Sequence, residues 1–86
     1  MDDLEQLREK IDEIDELILN ALSERTKVCR AIGLVKKKRG MQIRDNAREN
    51  EVYMHVKEKA AKFQLDSLQV EAVYQRIVNM CSAVQE

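Results

Sequence analysis

One apolar repeat spans more than a third of this 86-residue chain and restricts its fold more than any other feature. Apolar residues recur at alternating intervals of three and four, which is the spacing of one face of an α-helix. Gly40 follows the repeat and is the residue type that commonly ends a helix. We therefore predict one helix over about residues 3–39. Its apolar face carries Leu4, Leu7, Ile11, Ile14, Ile18, Ala21, Val28, Ile32 and Val35, with Arg25 as the charged interruption.

This helix is too long for a compact domain of the same chain. At 1.5 Å per residue it would measure about 55 Å. A compact chain of 86 residues has a radius of gyration of about 12 Å and a diameter of about 30 Å. We therefore expect the apolar face to pair with a second copy, which gives an intertwined helical homodimer.

Composition favours an all-α fold with residues 1–86 as a single domain. Two glycines and no prolines leave few of the turn residues that β-sheet proteins need. Helix starts are indicated where a side-chain acceptor is followed three residues later by Glu or Gln, at Asp2, Asn46 and Asp66. The second and third helices are predicted at about 46–63 and 67–85. Their apolar faces carry Val52, Val56, Ala60 and Phe63, and Val70, Val73, Ile77, Met80 and Val84.

Several classes of protein are disfavoured. The chain has neither a secretory signal pattern nor an apolar run long enough for a membrane span, so we expect a cytoplasmic protein that does not bind membranes. Cys29 and Cys81 are far apart in sequence and are expected to be reduced, as small buried apolar residues. His55 lacks the neighbours of a zinc motif, so no metal site is predicted. The basic run 36–39 lacks aromatic neighbours and the pI is 5.9, so nucleic acid is not the expected partner.

Basic residues are concentrated in the middle of the chain. Residues 25–48 contain nine Lys or Arg and one acid, Asp45. Such a segment indicates an anionic partner, although a solvated surface or the basic end of a helix explains it equally well. The positions of the individual charges on the helices must decide between these interpretations.

Polar residues on or beside the apolar faces favour a ligand pocket. Each has a structural alternative: a polar residue that sets dimer register, flanking charges that pair with a partner helix, a helix cap, or a frayed terminal residue. A buried pocket for a small dicarboxylate explains all of them together. These residues are Arg8, Arg25, Lys36, Arg48, Glu49 and Gln85.

The order and spacing of five motifs resemble the all-helical, AroQ-type chorismate mutases over nearly the whole chain. The motifs are Leu7-Arg8-Glu9-Lys10-Ile11-Asp12-x-Ile14-Asp15, Glu24-Arg25, Ile32-Gly33, Val35-Lys36 and Ile43-Arg44-Asp45-x-x-Arg48-Glu49. The resemblance implies an intertwined homodimer of three-helix subunits with two shared active sites. It also implies an isomerase that converts chorismate to prephenate on the route to phenylalanine and tyrosine, without cofactor or metal.

The resemblance also assigns roles to residues. Arg8 of the opposite subunit and Arg25 would hold the two carboxylates of the substrate. Lys36 would contact a carboxylate and the ether oxygen, to which Gln85 would also donate. Glu49 and the backbone near Asp45 would receive the ring hydroxyl, and Arg48 would help to close the pocket. Cys81 stands where bacterial relatives often have serine, so its thiol would hydrogen-bond a substrate carboxylate.

Two other functions remain open at this point. Isochorismate-pyruvate lyase uses the same scaffold and needs a similar cationic pocket. A non-catalytic dimerisation module would use the apolar face and the charges for assembly alone, and would not bind chorismate saturably.

Overall fold

The computed structural model describes residues 3–86, and within that range it contains three α-helices and no strand. Helix α1 is Asp3–Lys38, α2 is Asn46–Lys62 and α3 is Ser67–Gln85. The all-helical class predicted from composition is confirmed. The helix start predicted at Asp2 lies outside the described residues.

Backbone hydrogen bonds at Gly40 end α1. The Gly40 N–H donates to the Lys37 carbonyl at 3.3 Å and the Met41 N–H donates to the Lys36 carbonyl at 2.8 Å. Gly40 has φ +66°, the left-handed conformation that this pair of bonds requires and that glycine adopts without a steric penalty.

The cap of α2 differs from the prediction by one residue. Asp45, not Asn46, is the N-cap, and its carboxylate accepts from the Arg48 N–H at 3.1 Å. Both residues are good caps, so the sequence did not distinguish them. Asp66 caps α3 as predicted, accepting from the Gln69 N–H at 2.9 Å.

Helix α3 packs against both α2 and the second half of α1. It runs parallel to α1, because Cys29 meets Cys81 and Gly33 meets Gln85 four residues further along each helix. The chain is 58 Å in its longest dimension and has a radius of gyration of 16.2 Å, against about 12 Å for a compact chain of this length.

The chain buries very little of its apolar surface by itself. Among the described residues, the buried side chains are Cys29, Ala60, Val78 and Ser82, together with the backbone of Gly33. The apolar face of α1 is largely exposed, with Leu7 at 64% and Ile11 at 56%. Phe63, Val73 and Met80, which we predicted on buried faces, are also exposed, and Phe63 lies just past the end of α2 as its C-cap.

The expectation of two free thiols is wrong, because Cys29 and Cys81 form a disulfide. Their Cα atoms lie 5.3 Å apart where α1 and α3 pack together, within the range that a disulfide bridges. Separation along the sequence did not reveal this proximity. A cross-link over 52 residues stabilises a folded chain by about 4 kcal/mol in the chain-entropy model.

None of the helices within residues 3–86 combines the length and the apolar character that crossing a lipid bilayer requires.

Candidate active site

An open cavity of about 450 Å³ lies between the second half of α1, the α1–α2 connection and the facing sides of α2 and α3. This volume is within the range of small-molecule sites. Apolar side chains from each helix form part of its wall, and charged side chains converge on it. The apolar lining consists of Val28, Ile32, Ile43, Val52 and Val78.

Seven of the eight residues predicted for the site line this one cavity: Arg25, Lys36, Asp45, Arg48, Glu49, Cys81 and Gln85. Arg8 does not. It lies in the exposed first half of α1, about 25 Å along the helix from Arg25.

Lys36 connects three of the elements that form the cavity wall, namely α1, the α1–α2 connection and α3. Its ammonium donates to the Gln85 Oε1 at 2.9 Å and also to the Ile43 carbonyl. The first bond joins α1 to the last turn of α3, and the second holds the α1–α2 connection against α1. An ammonium has three N–H donors, so one remains for a ligand in the cavity.

Gly33 permits this close approach of α1 and α3. A Cβ at position 33 would lie 2.9 Å from the Gln85 Cγ and 3.0 Å from its Cα. These distances are shorter than carbon atoms tolerate, and the Cα belongs to the backbone. A glycine inside a helix normally costs stability, so its presence here is explained by the contact that it allows.

We expect Gly33→Ala to lower kcat for chorismate, the substrate that the family resemblance implies, about tenfold or more, because the added methyl group pushes Gln85 away from Lys36. Steady-state kinetics on the purified variant measures this. Gly40→Ala is the matched control: its Cβ meets nothing within 4 Å, so it should lower thermal stability through its positive φ and leave kcat unchanged. An equal loss of kcat in both variants would contradict the steric explanation.

Glu49 is held by a two-pronged ion pair with Arg44. The Arg44 Nε and Nη2 donate to the two carboxylate oxygens at 2.8 and 2.7 Å. Arg44 Nη1 also donates to Asn79 Oδ1 at 3.2 Å, so this guanidinium links the α1–α2 connection to α2 and α3. The hydrogen bond with Glu49 raises the pKa of Arg44, whose guanidinium is charged at neutral pH even without that shift.

The remaining charged residues are less constrained. Arg25 is half-buried and its Nη1 lies 3.7 Å from the Cys29 sulfur. Arg48 is exposed and its Nη1 donates to Glu51 at 3.3 Å. This surface pair is weak, so Arg48 can exchange Glu51 for an anion in the cavity at little cost.

Sequence reasoning missed three contributors to the site. Ser82 is buried and borders the cavity; its position three residues before Gln85 was a usable signal. Arg44 was noted only as part of a motif. The role of Gly33 depends on how closely two helices approach, which has no local signature.

The charge balance of the cavity suits an anion that also carries a hydroxyl group. Arg25, Lys36 and Arg48 line it as cations and the charge of Glu49 is offset by Arg44. Asp45 also lines it, with its carboxylate engaged as the N-cap of α2, so the cations are in excess. Glu49 nevertheless keeps unused lone pairs, since each carboxylate oxygen accepts more than one hydrogen bond. Across residues 3–86 no group of three or more His, Cys, Asp or Glu side chains is placed to hold a metal ion.

Comparisons with known proteins found two relatives that are much longer than this chain. The bifunctional chorismate mutase/prephenate dehydratase of Aquifex aeolicus is 43% identical over 53 residues, which are 62% of this chain and 15% of that protein. A 3-dehydroquinate dehydratase of Pyrobaculum aerophilum is 34% identical over 82 residues, 95% of this chain and 24% of that protein. The chain thus spans no more than 24% of the length of either relative.

A relative of similar length is the chorismate mutase of Methanocaldococcus jannaschii, which is 28% identical over 83 residues, 96% of this chain and 84% of that protein. No solved structure matches the chain significantly. The family model described as chorismate mutase type II matches residues 7–86. Because that match covers nearly the whole sequence, the chain belongs to the chorismate mutase type II family.

Proposed function

We propose that this protein catalyses the Claisen rearrangement of chorismate to prephenate, on the route to phenylalanine and tyrosine. The observation that carries this proposal is the cavity in which Arg25, Lys36, Glu49 and Gln85 converge. Chorismate has two carboxylates, an ether oxygen that gains negative charge as its bond breaks, and a ring hydroxyl. The cavity offers Arg25 for one carboxylate, Lys36 and Gln85 for the ether oxygen and Glu49 for the hydroxyl. The second carboxylate would be bound by a cation from outside this cavity.

The first contribution to catalysis is selection of a reactive conformer. A pericyclic rearrangement moves no proton and forms no covalent enzyme intermediate, so much of its barrier is the cost of bringing two carbon atoms together. Arg25 would bind one carboxylate with its planar fork, which remains charged when buried. Arg8 of a partner subunit would bind the other, and Arg48 would close the pocket over the substrate.

The second contribution is electrostatic stabilisation of the breaking C–O bond. The free N–H of Lys36 and an N–H of Gln85 would donate to the ether oxygen as its negative charge grows. Their mutual hydrogen bond of 2.9 Å holds both groups in place before the substrate binds, so little reorganisation is needed during the reaction.

Glu49 would orient the ring by accepting a hydrogen bond from its hydroxyl, aided by the backbone near Asp45. The Arg44 ion pair fixes the carboxylate of Glu49, whose side chain is only 15% exposed. Cys81 has no free thiol in this structure, so a thiol hydrogen bond to a substrate carboxylate, which we considered from the sequence, is not part of the proposed mechanism.

We also propose that the active protein is an intertwined homodimer. The exposed apolar face of α1 supports this, because a single chain leaves most of its large apolar side chains in water. A second long helix laid on that face would bury them, and Arg8 could then reach a cavity of the other subunit. The cytoplasmic location stays a prediction, and the Cys29–Cys81 disulfide removes the free thiols that supported it.

We expect Ile14→Glu to weaken the dimer at least about 100-fold, because each of two symmetric copies would bury an unpaired carboxylate. Ultracentrifugation at several concentrations measures the dissociation. Ser23→Glu is the matched control, since it adds the same charge on the opposite, exposed face of α1. A monomeric wild type, or an Ile14→Glu dimer as tight as the control, would contradict the proposed interface.

Comparison of two substrates tests the proposed reaction against the lyase alternative. Purified protein is incubated separately with chorismate and with isochorismate, and prephenate and pyruvate are measured. The proposed function predicts saturable formation of prephenate from chorismate and little pyruvate from isochorismate. The reverse preference would assign the lyase activity, and binding of neither substrate would favour the dimerisation module.

A further inference from the structure

The Cys29–Cys81 disulfide forms part of the cavity wall directly beside the Lys36–Gln85 pair. We propose that this disulfide is a positioning element of the active site, which fixes the orientation of the Gln85 amide, and that reducing it lowers turnover. This role rests on the function proposed above.

Helix geometry places the cross-link next to the reacting groups. Gln85 follows Cys81 by four residues, one helical turn, and Lys36 follows Cys29 by seven, two turns. The covalent bond and the Lys36–Gln85 hydrogen bond therefore join α1 to α3 along the same seam, with the tight contact at Gly33 between them. A small change in the distance between α1 and α3 at the disulfide would therefore displace the Gln85 side chain.

Hydrogen bonding to the sulfur also fixes which way the Gln85 amide faces. Gln85 Nε2 donates to the Cys81 sulfur at 3.2 Å, while its Oε1 accepts from Lys36 at 2.9 Å. A disulfide sulfur has no proton, so it accepts and never donates. Only the observed orientation satisfies both neighbours, and it keeps the NH2 group available to the ether oxygen.

A free thiol at Cys81 would remove this restriction. Its S–H can donate, so it can also pair with the Gln85 Oε1 after the amide rotates by half a turn. That second orientation places the NH2 group against the Lys36 ammonium and breaks their hydrogen bond. Reduction thus replaces one amide orientation by two, one of which cannot support the reaction.

The reduction itself is an ordinary thiol–disulfide exchange with a dithiol. A thiolate of the reductant attacks the Cys81 sulfur, which is less buried than the 3% exposed Cys29 and borders the open cavity. The S–S bond breaks with Cys29 as leaving thiolate, and the second reductant thiol displaces Cys81 as the reductant closes to its own disulfide. Two electrons reach the protein, and both cysteine sulfurs take up a proton.

The test compares the oxidised protein, the same protein reduced with dithiothreitol, and the variant Cys29→Ala. Alkylation and mass spectrometry should find no reactive cysteine before reduction and two after it. We expect reduction to lower kcat about twofold, as when half of the molecules hold the inactive amide orientation, with a smaller change in KM because Arg25 and the partner's Arg8 still bind the carboxylates. Cys29→Ala should have the lower kcat with and without dithiothreitol. Reoxidation should restore the higher kcat in the wild type only.

A second readout needs no substrate and no activity. The side-chain amide resonances of Gln85, assigned by their loss in Gln85→Leu, should shift on reduction and return on reoxidation. Helix content measured by circular dichroism should stay constant. If the cross-link were merely structural, its reduction would lower the thermal midpoint without moving the Gln85 amide resonances or changing kcat relative to KM.

The outcomes separate this inference from the proposed function. Two cysteines that react before any reduction would overturn it, as would an intact disulfide whose loss changes neither kcat nor the Gln85 resonances. A reversible shift of the Gln85 resonances supports the positioning role even if neither redox state converts chorismate, and that combination would refute the proposed reaction alone.

Discussion

We expect Lys36→Ala to lower kcat for chorismate about 10²–10³-fold, because the proposed mechanism then loses a preorganised donor to a developing negative charge. The variant also loses the hydrogen bonds from Lys36 to Gln85 and to the Ile43 carbonyl. The α1–α2 connection and the last turn of α3 are then no longer held to α1 by this side chain. Steady-state kinetics measures the loss. Arg25→Ala should cause a large loss of the same kind by removing a carboxylate clamp.

Lys38→Ala is the matched control for Lys36→Ala. Lys38 is an exposed lysine in the last turn of the same helix and does not line the cavity, so its replacement removes the same charge from α1 without touching the site. We expect its kcat to stay within about twofold of wild type. Undiminished turnover in Lys36→Ala, with the dimer intact, would exclude the proposed role of Lys36.

Mixing two inactive variants restores activity if the sites are shared between subunits. Arg8→Ala removes a clamp that is supplied to the partner, and Lys36→Ala removes a donor within the subunit that holds the cavity. A mixed dimer has one site with both residues intact and one that lacks both. With random exchange of equal amounts, half of the dimers are mixed, so about a quarter of wild-type activity should return.

Subunit exchange must be shown independently, for example by native mass spectrometry of the mixture. A mixture of Arg25→Ala with Lys36→Ala is the negative control. Both residues line the cavity of the same chain, so each cavity of a mixed dimer lacks one of them and no activity should return. No recovery in the mixture of Arg8→Ala with Lys36→Ala, despite proven exchange, would show that Arg8 does not act across the dimer. Recovery in the Arg25→Ala mixture would contradict a cavity built from one chain.

Much of the fold follows from local patterns in the sequence. The repeat from Leu4 to Val35, interrupted by Arg25 alone, and Gly40 beyond it suffice to predict α1, because helix periodicity and helix termination are both local properties. The position of the α2 cap was missed by one residue because Asp45 and Asn46 cap equally well. Phe63 was misplaced because the apolar repeat does not show where the helix ends.

Residues that line the cavity could be predicted where their position on a helix face was enough to identify them. They could not be predicted where their role depends on how far apart two helices lie. Arg25, Lys36 and Gln85 were found because each is a polar residue on or beside an apolar face. The disulfide, the tight contact at Gly33 and the Arg44–Glu49 ion pair depend on how the helices and the connection pack together. The role of Arg8 depends on a second copy of the chain, so it rests on the resemblance and on the variants described above.

Conversion of chorismate by the purified protein tests the central claim most directly. The assay follows the loss of chorismate absorbance with a chelator present, and prephenate is identified by its acid conversion to phenylpyruvate. The account predicts saturable turnover with one prephenate formed per chorismate consumed. A verified dimer with its disulfide intact that leaves chorismate unchanged above the uncatalysed rate would contradict it.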